Sequence, residues 1–303
     1  MLLKRPFRFV KRAFKNLYFL TFLNGFLLAS LCYFKMEASY ESGLFLSIKN
    51  DVDNKIDADD TQDSVVVKAM HTCNFLMGNR AFMFRDAKAM ASTKADFFQA
   101  TSVDLMTTKG ACGSYSTVLA RILKTLHYPI RIAQMKAAGI YAAHNLVEVE
   151  TNNGWAVLDP TYDLYFIRPD NHLASFQDVE NDWAYYSKQV PKDYDFTYHY
   201  EGVRYSNWTK VPIIFPAIKR TLDFFLGKQR ADTISIRSYL LDVYDISFYI
   251  TLCLYLPLFL STFSNFVKTK IFPERDIPLT FRNFMKYLRS RVFNVPLNRI
   301  QSS

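Results

Sequence analysis

His144-Asn145-Leu146-Val147-Glu148-Val149-Glu150-Thr151-Asn152-Asn153-Gly154-Trp155-Ala156-Val157-Leu158-Asp159-Pro160 reads as two short strands around one tight turn. Asn152-Asn153-Gly154 is a strong turn signal, and the flanking runs 144–150 and 155–158 have strand composition. Such a hairpin fixes an antiparallel sheet, and with it which side chains share a face. A two-residue loop at Thr151-Asn152 sets His144 directly opposite Asp159. A loop at Asn152-Asn153 makes Asp159 the diagonal same-face neighbour of His144. Both registers leave the two side chains within reach of each other, whereas a loop of one or three residues separates them.

Upstream of the hairpin, Gly110-Ala111-Cys112-Gly113-Ser114 leads into Tyr115, Val118, Leu119, Ile122, Leu123 and Leu126, the spacing of one helix face. His127-Tyr128-Pro129 stops this helix, because the residue before a proline avoids helical backbone angles. Residues 130–135 continue as a strand, and 136–143, containing Gly139, read as a loop. Farther upstream, Val65, Val66, Ala69, Met70, Cys73 and Met77 recur at helical spacing from Thr61 to about Met77. Cys73 lies on that apolar stripe and is expected to be a buried structural thiol. Residues 37–60 read as a polar lead-in loop ending in a helix N-cap. Its aspartates lack the glycine at the sixth position that a calcium loop requires. Aromatic residues crowd 161–210, where they are expected to cover the sheet. The expected fold class is therefore α+β.

Composition bounds the setting of this domain. Half of the 303 residues are hydrophobic and 16% aromatic, which excludes a disordered chain. The net charge of +9 is carried by the ends: six Lys/Arg and no acid in residues 1–16, eight Lys/Arg against Glu274 and Asp276 in 268–303. Between them the chain is slightly acidic, which argues against nucleic acid as a partner. Each basic end borders an uncharged apolar run, 17–34 with 18 residues and 246–267 with 22, both readable as transmembrane helices. No small-x-small cleavage site follows the first run, so an uncleaved anchor is expected. The positive-inside rule then puts both termini in the cytoplasm and the intervening domain outside the cell membrane. The expected order is a basic N-terminus (1–16), a span (17–34), an extracytoplasmic domain (36–210), an amphipathic juxtamembrane segment (211–245), a span (246–267) and a basic amphipathic tail (268–303). In the tail, Phe281, Phe284, Met285, Leu288 and Val292 share a face flanked by arginine and lysine, a pattern suited to anionic membrane lipids.

With only two domain cysteines there is no disulfide framework, and Cys112 invites a chemical reading. It opens a helix, where free N–H groups and the helix dipole favour a thiolate. Gly110 and Gly113 on either side leave room for a substrate backbone. His144 and Asp159, on one face of the hairpin, supply a base and a group to orient it.

The three segments in this order resemble the transglutaminase-like superfamily: Gly110-Ala111-Cys112 with its helix ending Leu126-His127-Tyr128-Pro129-Ile130-Arg131, then 144–149, then Asn153-Gly154-Trp155-Ala156-Val157-Leu158-Asp159-Pro160-Thr161. The resemblance covers about a third of the domain. It implies a papain-like core, with the cysteine helix packed on an antiparallel sheet that carries the histidine and aspartate. It also implies a catalytic triad with Cys112 as nucleophile, His144 as general base and acid, and Asp159 as orienter. The implied reaction is hydrolysis or acyl transfer at a peptide-like amide through a thioester. The expected substrate is a peptide or protein, an envelope component being one candidate, and no cofactor or metal is expected. Asn145-Leu146 departs from the small and aromatic residues that usually follow the family's histidine. The Cys112 backbone N–H is one expected oxyanion donor, and Gln99 is a second candidate by analogy with papain-like enzymes. The alternative is a non-catalytic scaffold of the same fold, a binding module of an envelope or polysaccharide membrane assembly.

Overall fold

The computed structural model describes residues 16–83, 100–108, 111–210 and 212–267. Gln99, Gly110, the basic residues 1–15 and the amphipathic tail 268–303 lie outside the described residues. The chain divides into two compact units, Lys35–Ile246 and a second that joins the described residues up to Phe34 with those from Ser247 onward.

Lys35–Ile246 is α+β. Its helices include the end of α1 (Leu17–Asp53), α2 (Gln62–Met83), α3 (Thr101–Thr107) and α4 (Cys112–Thr125). The strands are β1 (Ile130–Ala137), β2 (Ile140–Thr151), β3 (Gly154–Asp159), β4 (Leu164–Tyr165) and β5 (Val203–Arg204). They form one antiparallel sheet in the order β4-β3-β2-β1-β5. Alternation along the strands gives the sheet two apolar faces. Ile132, Val147, Val149, Ala156 and Leu158 meet Val118, Leu119, Ile122 and Leu123 of α4, and behind these Val66, Met70, Cys73 and Met77 of α2. On the reverse face Ala133, Met135, Leu146 and Val157 lie under Phe166, Phe176, Tyr186, Tyr194 and Tyr200. The aromatic stretch thus covers the sheet. Tyr200 is enclosed by Phe166, Phe176 and Trp183, with ring centroids 5.2–5.5 Å apart.

Two local readings of the sequence change. The lead-in loop expected from residue 37 is helical as far as Asp53, because Phe45, Ile48 and Val52 recur on one face and bury it against α2 and α4. The loop expected at 136–143 narrows to a turn at Ala138-Gly139, both at positive φ, so β1 and β2 run almost to its tip. The β1–β2 ladder is interrupted where Lys136 pairs with Tyr141 but Met135 with His144, leaving residues 142 and 143 as a bulge beside His144. Bulges of this kind re-aim the adjacent side chain. The α2 helix begins as expected, with the Thr61 hydroxyl accepting from the Ser64 N–H.

The helices α7 (Ile214–Leu226), α8 (Lys228–Asp232) and α9 (Ile236–Tyr239) complete this unit, with α5 (Phe176–Asn181) and α6 (Trp183–Tyr186) on the aromatic side. The amphipathic α7 leaves Ile214, Phe224 and Phe225 exposed.

The other unit holds the first part of α1 and most of α10 (Val243–Phe266). Both helices are long and apolar enough to cross a membrane. Only 11% and 6% of their most apolar windows are buried, unlike the core helix of a soluble domain. Asn24 donates to the Thr262 hydroxyl at 2.9 Å, a polar link between apolar helices. Pro257 is accommodated inside α10.

Candidate active site

The hairpin closes through Asn152-Asn153, with Thr151 paired to Gly154 and Val147 to Leu158. Of the two registers open in the sequence, this is the diagonal one. Asp63 of α2 holds the turn, accepting from the Thr151 hydroxyl at 2.7 Å and the Asn153 amide at 3.1 Å. At the other end, Asn74 of α2 donates to the Pro160 carbonyl at 2.9 Å and fixes the exit of β3. His144 and Asp159 therefore share a face, and His144 Nε2 lies 2.7 Å from Asp159 Oδ2. Both residues are buried. The second carboxylate oxygen of Asp159 accepts from the Thr161 N–H at 3.1 Å, so the carboxylate is oriented from two sides. Tyr198 stacks on the His144 ring, with centroids 4.6 Å apart and planes 16° from parallel.

Cys112 occupies the first position of α4 and is half-buried. The preceding residue, Ala111, has φ 45° and ψ −125°, a conformation that a residue with a Cβ holds only under strain. The Ala111 N–H donates to the Thr108 carbonyl and its own carbonyl accepts from Tyr115, which pins this bend. His144 lies near enough to the Cys112 thiol for the ring to act on its ionisation. Because Nε2 is engaged by Asp159, Nδ1 is the ring nitrogen left for the sulfur.

Burial pushes the Cys112 thiol up. The hydrogen bond and charge of His144, and the side-chain and backbone N–H groups of Asn145, outweigh it and bring the thiol down to about 7. Burial likewise opposes a charge on His144. The Asp159 carboxylate, by charge and hydrogen bond, and the sulfur reverse this and raise His144 to about 9. Between these values the pair is a thiolate beside an imidazolium, the reactive form of a cysteine nucleophile.

Cys112, His144 and Asp159 are thus brought together: His144 pairs directly with Asp159 and acts on the Cys112 thiol. Two further residues adjoin this site that were given no chemical role from the sequence. Asn145, one position beyond His144, points to the opposite face of β2, and its Nδ2 lies 3.5 Å from Cys112 Sγ. Its backbone carbonyl accepts from the Ser116 hydroxyl of α4 at 2.7 Å. Arg237 of α9 donates from Nη1 to Asn145 Oδ1 at 2.7 Å. Burial lowers the Arg237 guanidinium, and the charges of Asp104 and Cys112 oppose that shift. The sequence marked Asn145 only as a departure from the small residue that usually follows the family's histidine, and nothing local marks Arg237. A Cβ at Gly113 would stand 3.8 Å from Arg237 Nη2 and 3.9 Å from Asn145 Nδ2, so the glycine keeps open the space beside the sulfur. Compared with family models, with curated proteins and with solved structures, the chain gives no match in any of the three.

Proposed function

We propose that this chain is a membrane-anchored cysteine hydrolase or acyltransferase of transglutaminase-like, papain-like type, acting on a peptide-like amide. The observation that carries the reading is the buried His144–Asp159 pair, 2.7 Å apart, beside Cys112 at the first position of α4, whose Sγ lies 3.5 Å from the amide of the adjacent Asn145. A helix with cysteine at its first position, packed on an antiparallel sheet that bears histidine and aspartate, supports the same family reading.

In this reading the Cys112 thiolate attacks the amide carbonyl carbon and forms the C–S bond. His144, as imidazolium, gives its proton to the departing amine as the C–N bond breaks, leaving a thioester. Neutral His144 then takes a proton from water or from an acceptor amine, whose attack releases the acyl group and restores the thiolate. Asp159 keeps the imidazole in the tautomer that directs Nδ1 toward sulfur and stabilises the imidazolium. The two apolar helices anchor the enzyme, with Lys4, Arg5, Arg8, Lys11, Arg12 and Lys15 before the first and Lys268, Lys270 and Arg275 after the second. By the positive-inside rule both termini are cytoplasmic and the catalytic domain is extracytoplasmic.

A thiol-reactive activity probe, compared between wild type and Cys112→Ala, tests the chemistry. Labelling that requires Cys112 at neutral pH supports the enzyme, and its absence in folded wild type favours the scaffold alternative. For topology, a reporter active only outside the membrane and fused after Ser303 should remain silent.

A further inference from the structure

Resting on the enzyme reading above, we infer that Asn145 is the side-chain oxyanion donor of this site and that Arg237 is the positioning residue that turns its amide toward the reacting carbonyl. The geometry sets the direction of that amide. An arginine side chain has only donors, so the group of Asn145 that meets Arg237 Nη1 at 2.7 Å must be the carbonyl Oδ1. The NH2 group is then forced to the other side, where Nδ2 lies 3.5 Å from Cys112 Sγ. Without the guanidinium, the two ends of the amide would be interchangeable in shape, and a flipped Oδ1 would repel the sulfur and any oxyanion beside it.

The supports of both residues are rigid. Asn145 is held in β2, with its main chain fixed to Ser116 on α4, the helix that carries Cys112. Arg237 is held through its neighbours on the β1 side of the sheet. The Ser235 hydroxyl bonds the Ile132 N–H and carbonyl at 3.1 Å each, and the Ser206 hydroxyl bonds the Ile234 carbonyl and the Ile236 N–H. A donor fixed in this way loses no orientation when charge develops, which is the condition for electrostatic stabilisation of a transition state. As the C–S bond forms, the carbonyl π pair moves onto oxygen. That oxygen is two bonds from Sγ, within the reach of an N–H group that already touches the sulfur. When the intermediate collapses, the pair returns and the leaving group departs with its own bond pair.

Two electrophiles separate this role from a mere effect on the thiol. p-Nitrophenyl acetate acylates sulfur through an oxyanion and expels p-nitrophenolate. Iodoacetamide alkylates sulfur by displacing iodide and passes through no oxyanion. With the full-length chain in detergent, both rates at Cys112 are measured across pH, and their ratio is taken at the thiolate plateau. Asn145→Ala and the isosteric Asn145→Asp should each lower the acylation-to-alkylation ratio by roughly 10²-fold or more. Arg237→Met should lower it by a smaller factor, and Arg237→Lys, which retains one donor for Oδ1, should restore most of the loss. An unchanged ratio in both Asn145 variants, with wild type reactive toward both reagents, would overturn this inference and leave the triad reading intact. A wild-type Cys112 that reacts with neither reagent would overturn both.

Discussion

Cys73 and Cys112 belong to the same domain, and burial is the largest influence on both thiols, yet their surroundings drive them in opposite directions. Cys73 is fully buried on α2 among Val66, Met70 and Met77. The Tyr115 carbonyl, at 3.6 Å, accepts from its thiol and stabilises the neutral form. Burial, together with the charge of Asp163, pushes this thiol far above the ordinary range. Cys112 is also taken out of water, but only half-way, and it meets donors and a positive charge. Desolvation alone makes a cysteine inert. Desolvation offset by a positive charge and two N–H groups leaves a thiol that ionises near neutral pH.

The contrast breaks most sharply at His144. If the proposed mechanism holds, His144→Ala removes the positive charge and the proton shuttle together, so turnover should fall by roughly 10⁴-fold or more, while Cys73→Ala leaves it unchanged. Alkylation gives a second measure. A thiol near 7 is about half ionised at pH 7, whereas one at its ordinary value of 9 is about 1% ionised, so His144→Ala should slow labelling by roughly 50-fold. Equal labelling of Cys73 and Cys112 in folded wild type would erase the distinction.

Asp159→Asn tests the orienter without changing its size. The amide can donate, which selects the wrong imidazole tautomer at Nε2 and turns the ring's chemistry away from Cys112. Turnover should fall on the order of 10³-fold while the domain stays folded, as judged by unchanged circular dichroism. Wild-type activity in this variant would reduce the site to a Cys–His dyad, with Asp159 only a turn residue bonded to the Thr161 N–H.

The pH dependence sharpens the same comparison with a smaller effect. Because the Cys112 thiol is lowered, its thiolate is lost as pH falls through about 7 and is fully present well above that value. The alkylation rate should therefore rise with pH around a midpoint near 7, where an unperturbed cysteine gives a midpoint near 9. For amide turnover, which also needs the imidazolium, the rate should decline again as pH passes about 9. A single ascending limb with its midpoint at 9 would show that neither group is tuned.

How much of this was legible in sequence depends on how local the determinants are. The β2–β3 hairpin is written in Asn152-Asn153-Gly154 and the flanking strand composition, and both readable registers kept His144 and Asp159 on one face. The choice between them is made by contacts with α2, through Asp63, that no local pattern reveals. The Ala138-Gly139 turn was hidden because alanine at positive φ has no sequence signature, so the segment read as a longer loop. The helical stretch ending at Asp53 was hidden for another reason: its polar residues dominate composition, while few large apolar residues, Phe45, Ile48 and Val52 among them, carry the buried face. Arg237 was beyond reach, since 92 residues separate it from Asn145 and only the folded sheet brings them together.

The smallest effect belongs to the other side of the comparison. If Cys73 is a packing residue, its removal should cost only what its volume costs. Cys73→Ala deletes one sulfur from a site walled by Val66, Met70 and Met77, and leaves a void smaller than those made by truncating a leucine. The expected loss is about 1 kcal/mol, which for a domain of this size lowers the thermal midpoint by roughly 2–4 °C. Turnover and the labelling of Cys112 at room temperature should match wild type. Cys73→Ser discriminates further, because a hydroxyl is costlier to bury than a thiol and its one evident partner is the Tyr115 carbonyl. It should be at least as destabilising as the alanine variant, although it conserves shape better. Loss of turnover in Cys73→Ala without a shift in the midpoint would contradict the packing role. Cys73 sits behind the helix that presents Cys112, and such a result would mean that it acts on the site through Tyr115 and α4, so that the two thiols are coupled.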